Sequence, residues 1–144
     1  MKIVIQRVLE SSVSVSGEVV SQIGRGLSLL VCLEKDDQIQ TLEKAAKKIL
    51  ALRVFSDDQG RMNENILQVK GEILAVSQFT LSWNGQKGNR PSFDNSMAPQ
   101  KAEELFEYFC EILEKEVVVK RGVFGESMQV HIHNDGPVTF SIDF

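Results

Sequence analysis

The sequence predicts an α+β domain in which mixed or antiparallel sheets pack against two main helices. Three observations support this prediction: short strand-like segments recur along the chain, two longer segments repeat apolar residues at helical spacing, and no linker or internal repeat divides them. The 144 residues are 42% hydrophobic and 25% charged, which is typical of one globular domain. We therefore treat residues 1–144 as a single domain with one core.

The first third of the chain predicts a series of strands. Ile3 and Ile5 share one face of an alternating segment, as residues of a strand do. Residues 12–15 and 18–23 flank a Ser-Gly pair and indicate a hairpin. Residues 27–33 form an unbroken apolar run, which is typical of a central strand covered on both faces.

The first predicted helix follows, with Asp36 and Asp37 as candidate caps. Its apolar stripe at helical spacing consists of Ile39, Leu42, Ala46, Ile49 and Leu50. Residues 53–55 and 72–78 predict further strands, and the Asp- and Gly-containing segment 56–60 between them is a strong turn signal. This helix therefore connects two strands of the predicted sheets.

The second half of the chain begins with a long polar segment. Residues 82–97 are rich in Gly and Asn, and a loop of that length in a compact domain usually carries function. Pro99 suits the first position of a second helix. The buried stripe of that helix is predicted to be Ala102, Leu105, Phe106, Phe109, Ile112 and Leu113. Strands at 117–120, 128–133 and 138–142 complete the predicted domain.

The charge and cysteine content exclude several classes of protein. A net charge of −4 argues against broad, sequence-independent binding of nucleic acid, although a small basic patch is compatible with it. Candidates for such a patch are Lys87, Arg90, Lys101, Lys120 and Arg121. Cys32 and Cys110 lie in apolar contexts and predict two reduced, buried thiols. The chain has neither an apolar run that could span a bilayer nor the features of a signal peptide, so we expect a cytoplasmic protein without a membrane partner.

The two histidines are candidate metal ligands. His131 and His133 share one face of a predicted strand, and Asp135 could continue the row. Two imidazoles and a carboxylate are a known facial ligand set. However, Asp135 lies in an Asn-Asp-Gly turn that would break the alternation. The alternative interpretation is that both histidines are half-exposed strand residues.

Polar side chains cluster where an apolar strand ends, just before the long polar loop. They are Ser77, Gln78 and Thr80. A hydroxyl group in that position is either a turn former or a nucleophile, and a nucleophile needs a neighbouring base. Both histidines lie on another predicted strand, so the sequence offers little support for a histidine base beside Ser77 or Thr80. The residues alone leave the two interpretations open.

Two short segments carry a specific resemblance to known proteins. Ser77-Gln78-Phe79-Thr80-Leu81 and Asn134-Asp135-Gly136-Pro137-Val138-Thr139 resemble the two signatures of the D-aminoacyl-tRNA deacylases, the second being the Gly-cisPro motif of that family. Residues 5–8, 87–93, 124–125 and 128–130 are also similar to family segments, in the right order, so the resemblance covers the whole chain. A related subgroup that edits an L-amino acid begins its first signature with Pro-Gln. Ser77 therefore favours the D-specific branch.

The resemblance implies a fold, an activity and an assembly. The fold is a three-layer β/β/α arrangement of two sheets with helices packed on one side. The activity is hydrolysis of the ester that links a D-amino acid to the terminal adenosine of tRNA, and also hydrolysis of glycyl-tRNA(Ala), with no metal or organic cofactor. The assembly is a homodimer in which the Gly-cisPro loop of one subunit enters the pocket of the other and rejects L-amino acids.

The resemblance also assigns roles to individual residues. Ser77, Gln78 and Thr80 would be the catalytic residues of a pocket for the aminoacylated adenosine. The substrate-binding residues would be Phe79, Gly136, Pro137, Arg7 and Met128. Among these, Gly136 and its neighbouring proline would face the α-carbon of the amino acid, and Arg7 would hold their loop in place. The segment 82–85 departs from the usual family sequence, in a loop where contacts with tRNA are expected.

The absence of a histidine base beside Ser77 and Thr80 is compatible with two mechanisms. In RNA-assisted hydrolysis, the vicinal ribose hydroxyl of the terminal adenosine orients water or assists its attack, while the protein positions the ester and donates amide N–H groups to the oxyanion. In the rival mechanism the hydroxyl of Thr80 is the nucleophile. Two functions of other classes stay open: a non-catalytic module that binds RNA ends or aminoacyl-adenosine, and a metal-dependent hydrolase that uses His131 and His133.

Overall fold

The fold is built on a mixed sheet whose strands come from both ends of the chain. The computed structural model describes residues 1–86 and 88–144, and in these residues it has a six-stranded sheet, a two-stranded sheet and two α-helices. The strands are β1 (Lys2–Val15), β2 (Glu18–Ile23), β3 (Gly26–Cys32), β4 (Phe55–Ser56), β5 (Met62–Glu64), β6 (Glu72–Ser77), β7 (Val119–Arg121) and β8 (Met128–Asp143). The helices are α1 (Ile39–Ala51) and α2 (Pro99–Glu114). The predicted α+β class with two main helices is therefore confirmed.

β1 organises the large sheet because it pairs along both of its edges. Its first half, residues 2–8, pairs antiparallel with β3, and its second half, residues 11–15, pairs antiparallel with β2. β8 runs antiparallel to β1 along nearly its whole length. Beyond β3 lie β6 and then β7, each parallel to its neighbour. The sheet is thus mixed, and β3 is the central strand that its apolar run predicts.

Core side chains pack on both faces of this sheet. On one face the helices cover a core that includes Ile3, Ile5, Leu29, Leu42, Ile49, Phe106 and Phe109. On the other face Leu74 and Val76 of β6 pack with Val13 of β1 and Ile23 of β2. The second half of β1 and its partners therefore fold over the first half as a further β layer. The two β layers belong to one hydrogen-bonded sheet rather than to two sheets, because β1 and β8 are long enough to run through both layers.

The start of α1 differs from the prediction. The helix begins at Ile39 with Gln38 as its N-cap, and the carboxylate of Asp37 is engaged elsewhere. One oxygen of Asp37 accepts a hydrogen bond from the amino group of Met1 at 2.6 Å, and the other accepts one from the backbone N–H of Glu34 at 2.6 Å. Asp37 is buried with this charged amine, which is a stronger partner than a helical N–H. Ile39, expected in the apolar stripe, is exposed in the first turn, whereas the middle of the stripe is buried as predicted.

α2 agrees with the prediction at its first residue and along its buried face. It begins at Pro99, where the missing N–H costs nothing because the first turn has no intrahelical acceptor. Its buried residues are Ala102, Leu105, Phe106, Phe109, Cys110 and Leu113. Ile112 is partly buried beside them. The helix therefore lies over the sheet with the face that the spacing predicts.

β8 is continuous where the sequence predicts two strands and a turn. Both halves pair with β1, but the register jumps from Gln6 opposite Thr139 to Val8 opposite Asn134. Two steps along β1 thus correspond to five along β8, and residues 135–138 bulge out of the ladder. The local turn signal is real, but each flank finds its partner on the same long strand, so the turn becomes a wide bulge.

No helix among residues 1–86 and 88–144 is both long and apolar enough to cross a membrane.

Candidate functional site

The first signature segment lies where the chain leaves the sheet. β6 ends at Ser77, and the backbone N–H of Gln78 still donates to the carbonyl of Val31 on β3 at 2.7 Å. A 3₁₀ turn, Phe79–Ser82, then carries the chain away from the sheet. Strand ends of this kind are common ligand sites because the strands hold them rigidly while the following loop stays open. The side chains of Phe79 and Thr80 are exposed there.

The amide of Gln78 orients the hydroxyl of Thr80. The Nε2 atom of Gln78 donates a hydrogen bond to the Oγ1 atom of Thr80 at 2.5 Å. A neutral amide N–H cannot remove a proton, so this contact positions the hydroxyl without activating it. Within the part of the chain that the structure describes, no imidazole or carboxylate hydrogen-bonds to Thr80. This geometry does not provide the base that a threonine nucleophile requires.

A largely apolar cavity of about 440 Å³ opens beside the signature segment. Four phenylalanines from four parts of the chain line it, namely Phe79, Phe93, Phe106 and Phe124. The rings of Phe79 and Phe93 meet edge to face with centroids 5.0 Å apart, and those of Phe106 and Phe124 are 6.1 Å apart. Ser77 and Gln78 also line the cavity. Its shape and chemistry suit a flat aromatic ring that carries polar groups on one edge.

A smaller cavity of about 220 Å³ shares the signature segment with the first. Ser77, Gln78 and Phe79 line both cavities, and Met128 of β8 and Glu126 line the smaller one. Met128, a predicted substrate-binding residue, therefore lies close to the first signature. The signature segment is thus the wall between a large apolar compartment and a smaller, more polar one.

The second signature forms the bulge of β8, which a buried arginine holds in place. The Nε atom of Arg7 lies 3.2 Å from the carbonyl oxygen and 3.0 Å from a carboxylate oxygen of Asp135. Its Nη1 atom donates to the carbonyl of Val54 at 2.6 Å. The peptide bond between Gly136 and Pro137 is cis, and both residues are exposed. Arg7 thus anchors the base of a bulge whose tip is open.

Gly136 occupies a position where any side chain would be strained. Its φ angle is +131°, which side chains of L-residues rarely allow. A Cβ atom there would lie 2.7 Å from Cγ2 of Val138 and 3.2 Å from Nη2 of Arg7. The backbone N–H of Val138 also donates to Oδ1 of Asn134 at 2.8 Å, which closes the bulge. The tip of the bulge is therefore fixed by its own short contacts.

The two signatures do not meet within one chain. β8 and β6 are separated by β1 and β3, which is three strand spacings or about 14 Å. The bulge that carries Gly136 lies beside Arg7 of β1. Arg7 pairs with Leu27 of β3, and Leu27 pairs with Ile73 of β6. Ile73 is four residues before Ser77, so the offset along the strand direction is about 13 Å. The signatures are therefore on the order of 20 Å apart. Accordingly, neither residue of the Gly-Pro pair lines either cavity.

The alternative metal site is not formed. His131 and His133 are exposed on β8, and the Nδ1 atom of His133 lies 3.8 Å from a carboxylate oxygen of Glu10. Asp135, the third candidate ligand, turns instead towards Arg7. Among the described residues, no three His, Cys, Asp or Glu side chains come close enough to share an ion. The row of ligands fails because the bulge breaks the alternation of the strand.

The two cysteines are free and buried, as predicted. Burial raises the pKa of the Cys32 thiol to about 11 and that of the Cys110 thiol to about 12. Sγ of Cys32 lies 3.5 Å from the carbonyl oxygen of Phe79, beneath the 3₁₀ turn. Both thiols stay protonated near neutral pH and are poor nucleophiles.

The predicted basic patch is only partly available. Arg121 pairs with two carboxylates of α2, with a guanidinium nitrogen 3.3 Å from Glu107 and another 2.6 Å from Glu114. Arg121 is thus a link between β7 and α2 rather than a free phosphate ligand. Arg90, Lys101 and Lys120 are exposed, as the prediction requires. Lys87 lies outside the described residues.

Three of the phenylalanines that line the large cavity, Phe93, Phe106 and Phe124, are not predicted as site residues from the sequence. Phe106 is predicted as part of the buried stripe of α2, and it is buried, but its ring also lines the cavity. Phe93 and Phe124 lie in connecting segments. Both lie in segments that resemble the family, 87–93 and 124–125, and an aromatic residue inside a polar loop is a further local signal for Phe93.

Comparison with known proteins agrees with these features. A sequence model of the family described as D-Tyr-tRNA(Tyr) deacylase matches residues 4–143. The chain is 50% identical over 140 residues to a D-aminoacyl-tRNA deacylase of Persephonella marina (strain DSM 14350 / EX-H1), covering 97% of this chain and 95% of that protein. It is 53% identical over 137 residues to a D-aminoacyl-tRNA deacylase of Dichelobacter nodosus (strain VCS1703A), covering 94% of each.

Solved structures share the same fold. The structure of a protein named c-Myc DNA Unwinding Element Binding Protein superimposes with a TM-score of 0.96 at 44% identity, covering 100% of this chain and 99% of that one. A structure described as that of "a probable eukaryotic D-amino acid tRNA deacylase" superimposes with a TM-score of 0.85 at 17% identity, covering 99% and 98%, and at that identity it supports the fold alone. The family model covers nearly the whole chain and the curated relatives match it at about half identity. The chain therefore belongs to the D-Tyr-tRNA(Tyr) deacylase family.

Proposed function

We propose that the chain hydrolyses the ester of D-aminoacyl-tRNA at the wall between the two cavities. The observation that carries this proposal is the position of Ser77, Gln78 and Phe79, which line both compartments at once. A ligand with two unlike parts, a nucleobase and an amino acid joined through a ribose ester, matches that division. The names of the relatives at about half identity point to the same substrate. We propose that residues 1–144 act as one domain, in the cytoplasm.

The adenine of the terminal nucleotide suits the larger cavity. Its walls include the paired rings of Phe79 and Phe93, and aromatic side chains stack well on nucleobases. The amide of Gln78 and the hydroxyl of Ser77 at its edge offer both donors and acceptors. The ester and the amino acid would then lie at Thr80 and the smaller cavity that Met128 lines. This assignment gives each predicted residue of the first signature a contact with substrate.

The catalytic step is proposed to be RNA-assisted. Gln78 donates a hydrogen bond to the hydroxyl of Thr80, and no base in the described residues is placed to deprotonate that hydroxyl. The vicinal hydroxyl of the substrate ribose is adjacent to the ester and would orient the attacking water. The backbone N–H groups of Phe79 and Thr80 have no acceptor within the described residues, so they are free to stabilise the oxyanion.

A second copy of the chain is proposed to complete the site. Gly136 and Pro137 are exposed at the tip of a bulge that Arg7 holds, yet they lie on the order of 20 Å from Ser77 in the same chain. In a homodimer the bulge of one subunit would enter the cavity of the other and face the α-carbon. Rigid backbone at that point blocks an L side chain while a D side chain points away. Glycine has no side chain to block, so glycyl-tRNA(Ala) would also be a substrate.

Matched D- and L-tyrosyl-tRNA test the proposed function. We expect the purified protein to release D-tyrosine and to leave the L-ester intact, as followed by loss of radiolabelled tyrosine from tRNA. Hydrolysis of both esters at similar rates would contradict the specificity. Binding of both without turnover would instead indicate a module that only binds RNA ends.

A further inference from the structure

A polar cavity of about 300 Å³ lies next to the proposed active site. One side of it consists of Ser82, Trp83 and Asn84, which follow the first signature, and the other side includes Asp94 and Asn95. Ser82, Trp83 and Asn84 belong to the segment 82–85, whose sequence departs from the usual family pattern. The proposed hydrolysis does not use this cavity, so its contents need a separate explanation.

A buried hydroxyl in the wall of this cavity has no protein partner. Ser82 is only 3% exposed, and its Oγ atom makes no hydrogen bond to any described residue. A buried polar group without a partner is unfavourable, and such groups in native proteins usually pair with a ligand or water. Ser82 lines the cavity, so an occupant of the cavity could supply the missing partner.

The chemistry of the walls suits a nucleobase better than a phosphate. No Lys or Arg among the described residues lines the cavity, whereas the carboxylate of Asp94 does. One oxygen of Asp94 accepts a hydrogen bond from Ser92 at 2.9 Å, and the other is free to accept from a ligand within the described structure. Asn95 offers an amide donor and acceptor. Trp83, the one tryptophan of the chain, is 40% exposed and presents an aromatic surface for stacking.

The polar cavity and the apolar cavity are lined by neighbouring residues on two sides. Ser82 ends the 3₁₀ turn that Phe79 begins, so this turn borders both cavities. On the other side, Phe93 lines the apolar cavity, while its neighbours Ser92 and Asp94 line the polar one. Two consecutive nucleotides could therefore occupy the two cavities, with their backbone passing over the residues between them.

From these contacts we infer that the polar cavity binds the base of the nucleotide that precedes the terminal adenosine, and that it prefers cytosine. The inference rests on the proposed function for the position of the adenosine. A free carboxylate oxygen on Asp94 matches the exocyclic amino group of cytosine, which is the pairing expected for a carboxylate and this base. Trp83 stacks on the ring, and Ser82 and Asn95 face its remaining polar edge. In tRNA the nucleotide in this position is a cytidine.

Titration of the full-length protein with small ligands tests the inference. The probes are the dinucleoside phosphate CpA, its analogue UpA, and adenosine 5′-monophosphate, which keeps the phosphate but lacks the first base. We expect CpA to quench the fluorescence of Trp83 and to bind about tenfold more tightly than adenosine 5′-monophosphate. The affinity for UpA should be lower than that for CpA by a factor of about five or more. Equal affinities for the three probes, or an unchanged tryptophan signal, would overturn the inference.

Variants separate stacking from the general stability of the loop. By calorimetry, Trp83→Ala should lower the affinity for CpA to that for adenosine 5′-monophosphate, while Trp83→Phe should retain most of it. Asp94→Asn should reduce the preference for CpA over UpA. The matched control is Leu67→Ala, which removes an exposed apolar side chain elsewhere and should change neither affinity. A loss of affinity for all probes alike in Trp83→Ala would contradict a separate base site.

The same titration distinguishes this inference from the proposed function. Binding of CpA is measured without turnover, so the titration decides the inference even if D-tyrosyl-tRNA is not hydrolysed. Conversely, normal hydrolysis of D-tyrosyl-tRNA together with equal binding of the three probes would leave the proposed function standing and overturn the base site.

Discussion

At the scale of single residues, the site is defined by polar groups that are held but not activated. Gln78 fixes the hydroxyl of Thr80, and the nearest thiol, that of Cys32, is buried with a pKa of about 11. Arg7 is buried but is committed to Asp135 and to a backbone carbonyl. None of these groups can act as a general base near neutral pH. In the proposed mechanism the protein therefore contributes positioning and N–H donors, and the reactive hydroxyl comes from the substrate ribose.

The first prediction concerns that hydroxyl. A D-tyrosyl-tRNA whose terminal ribose lacks the hydroxyl next to the ester should bind with similar affinity but react at least about a hundredfold more slowly, since assistance of this kind is worth about 10²–10⁴-fold. Single-turnover hydrolysis measures the rate. Thr80→Val keeps the shape of the side chain without its hydroxyl, and we expect it to stay within about tenfold of the unaltered protein. Normal turnover of the deoxy substrate, with an inactive Thr80→Val, would favour the threonine nucleophile.

The second prediction concerns the tip of the bulge. A methyl group at Gly136 would collide with Val138 and approach Arg7, so Gly136→Ala should displace the tip and lower kcat/KM for D-tyrosyl-tRNA by about tenfold or more. The ratio of the hydrolysis rate for D-tyrosyl-tRNA to that for L-tyrosyl-tRNA should also fall in the Gly136→Ala variant. Gly60→Ala is the matched control, because Gly60 also has a positive φ but has no atom within 4 Å of an added Cβ. The control should lose about 1 kcal/mol of stability and no activity.

At the scale of elements, the sequence predicts best where one pattern and one neighbour suffice. The unbroken run of β3 and the stripe of α2 correspond directly to a central strand and a helix with one buried face. The continuity of β8 was not predictable, because it depends on pairing of both flanks with β1, more than 100 residues away. The cap of α1 was missed for a similar reason, since Asp37 is recruited by the distant amine of Met1. Long-range partners override local signals in both cases.

The third prediction concerns the contact between β1 and the bulge of β8. Arg7→Met leaves the carbonyls of Asp135 and Val54 without their donor, and we expect it to lower the free energy of unfolding by about 1–3 kcal/mol. Asp135→Asn keeps a hydrogen-bond acceptor and should cost less than about 1 kcal/mol, because this carboxylate is partly exposed. Urea unfolding measures both. Arg61→Met, at an exposed turn, is the control, and an equal loss there would contradict a specific role for Arg7.

The fourth prediction concerns α2 and its buried thiol. The pKa of Cys110 is about 12 in the folded protein, above the value of about 8.5 for a free thiol, because burial disfavours the thiolate. The unfolded chain therefore loses this proton first as the pH rises. The contribution of the protonated Cys110 thiol to the free energy of unfolding is fully present below about pH 8.5. It is lost between about pH 8.5 and 12, by up to about 1.4 kcal/mol per pH unit. Urea unfolding at pH 8 and pH 10 should show a shallower decline for Cys110→Ala, and an identical decline would contradict the prediction.

At the scale of the whole molecule, the proposed site is divided between two distant parts of the sheet. The first signature was recognisable from its strand end and its residues, whereas the large cavity was not, because Phe93, Phe106 and Phe124 reach it from a loop, a helix and the β7–β8 connection. The second signature lies on the order of 20 Å from the first, with an open tip. A single chain therefore holds both halves of the proposed site without joining them. Two chains related by a two-fold axis would join them twice.

The last prediction tests this division by complementation. In one variant, Gly136→Trp would plug the cavity of the partner, and in another, Phe79→Ala would disable its own cavity. Each homodimer alone should be nearly inactive, with folding checked by circular dichroism. In a mixed dimer one site receives both lesions and the other receives none, since each site combines one cavity with the bulge of the other chain. Random pairing at equal expression makes about half of the dimers mixed, so roughly a quarter of all sites should be intact. Recovery near a quarter of the original activity is therefore expected, whereas no recovery in mixed dimers isolated with two different tags would place the bulge outside the partner's site.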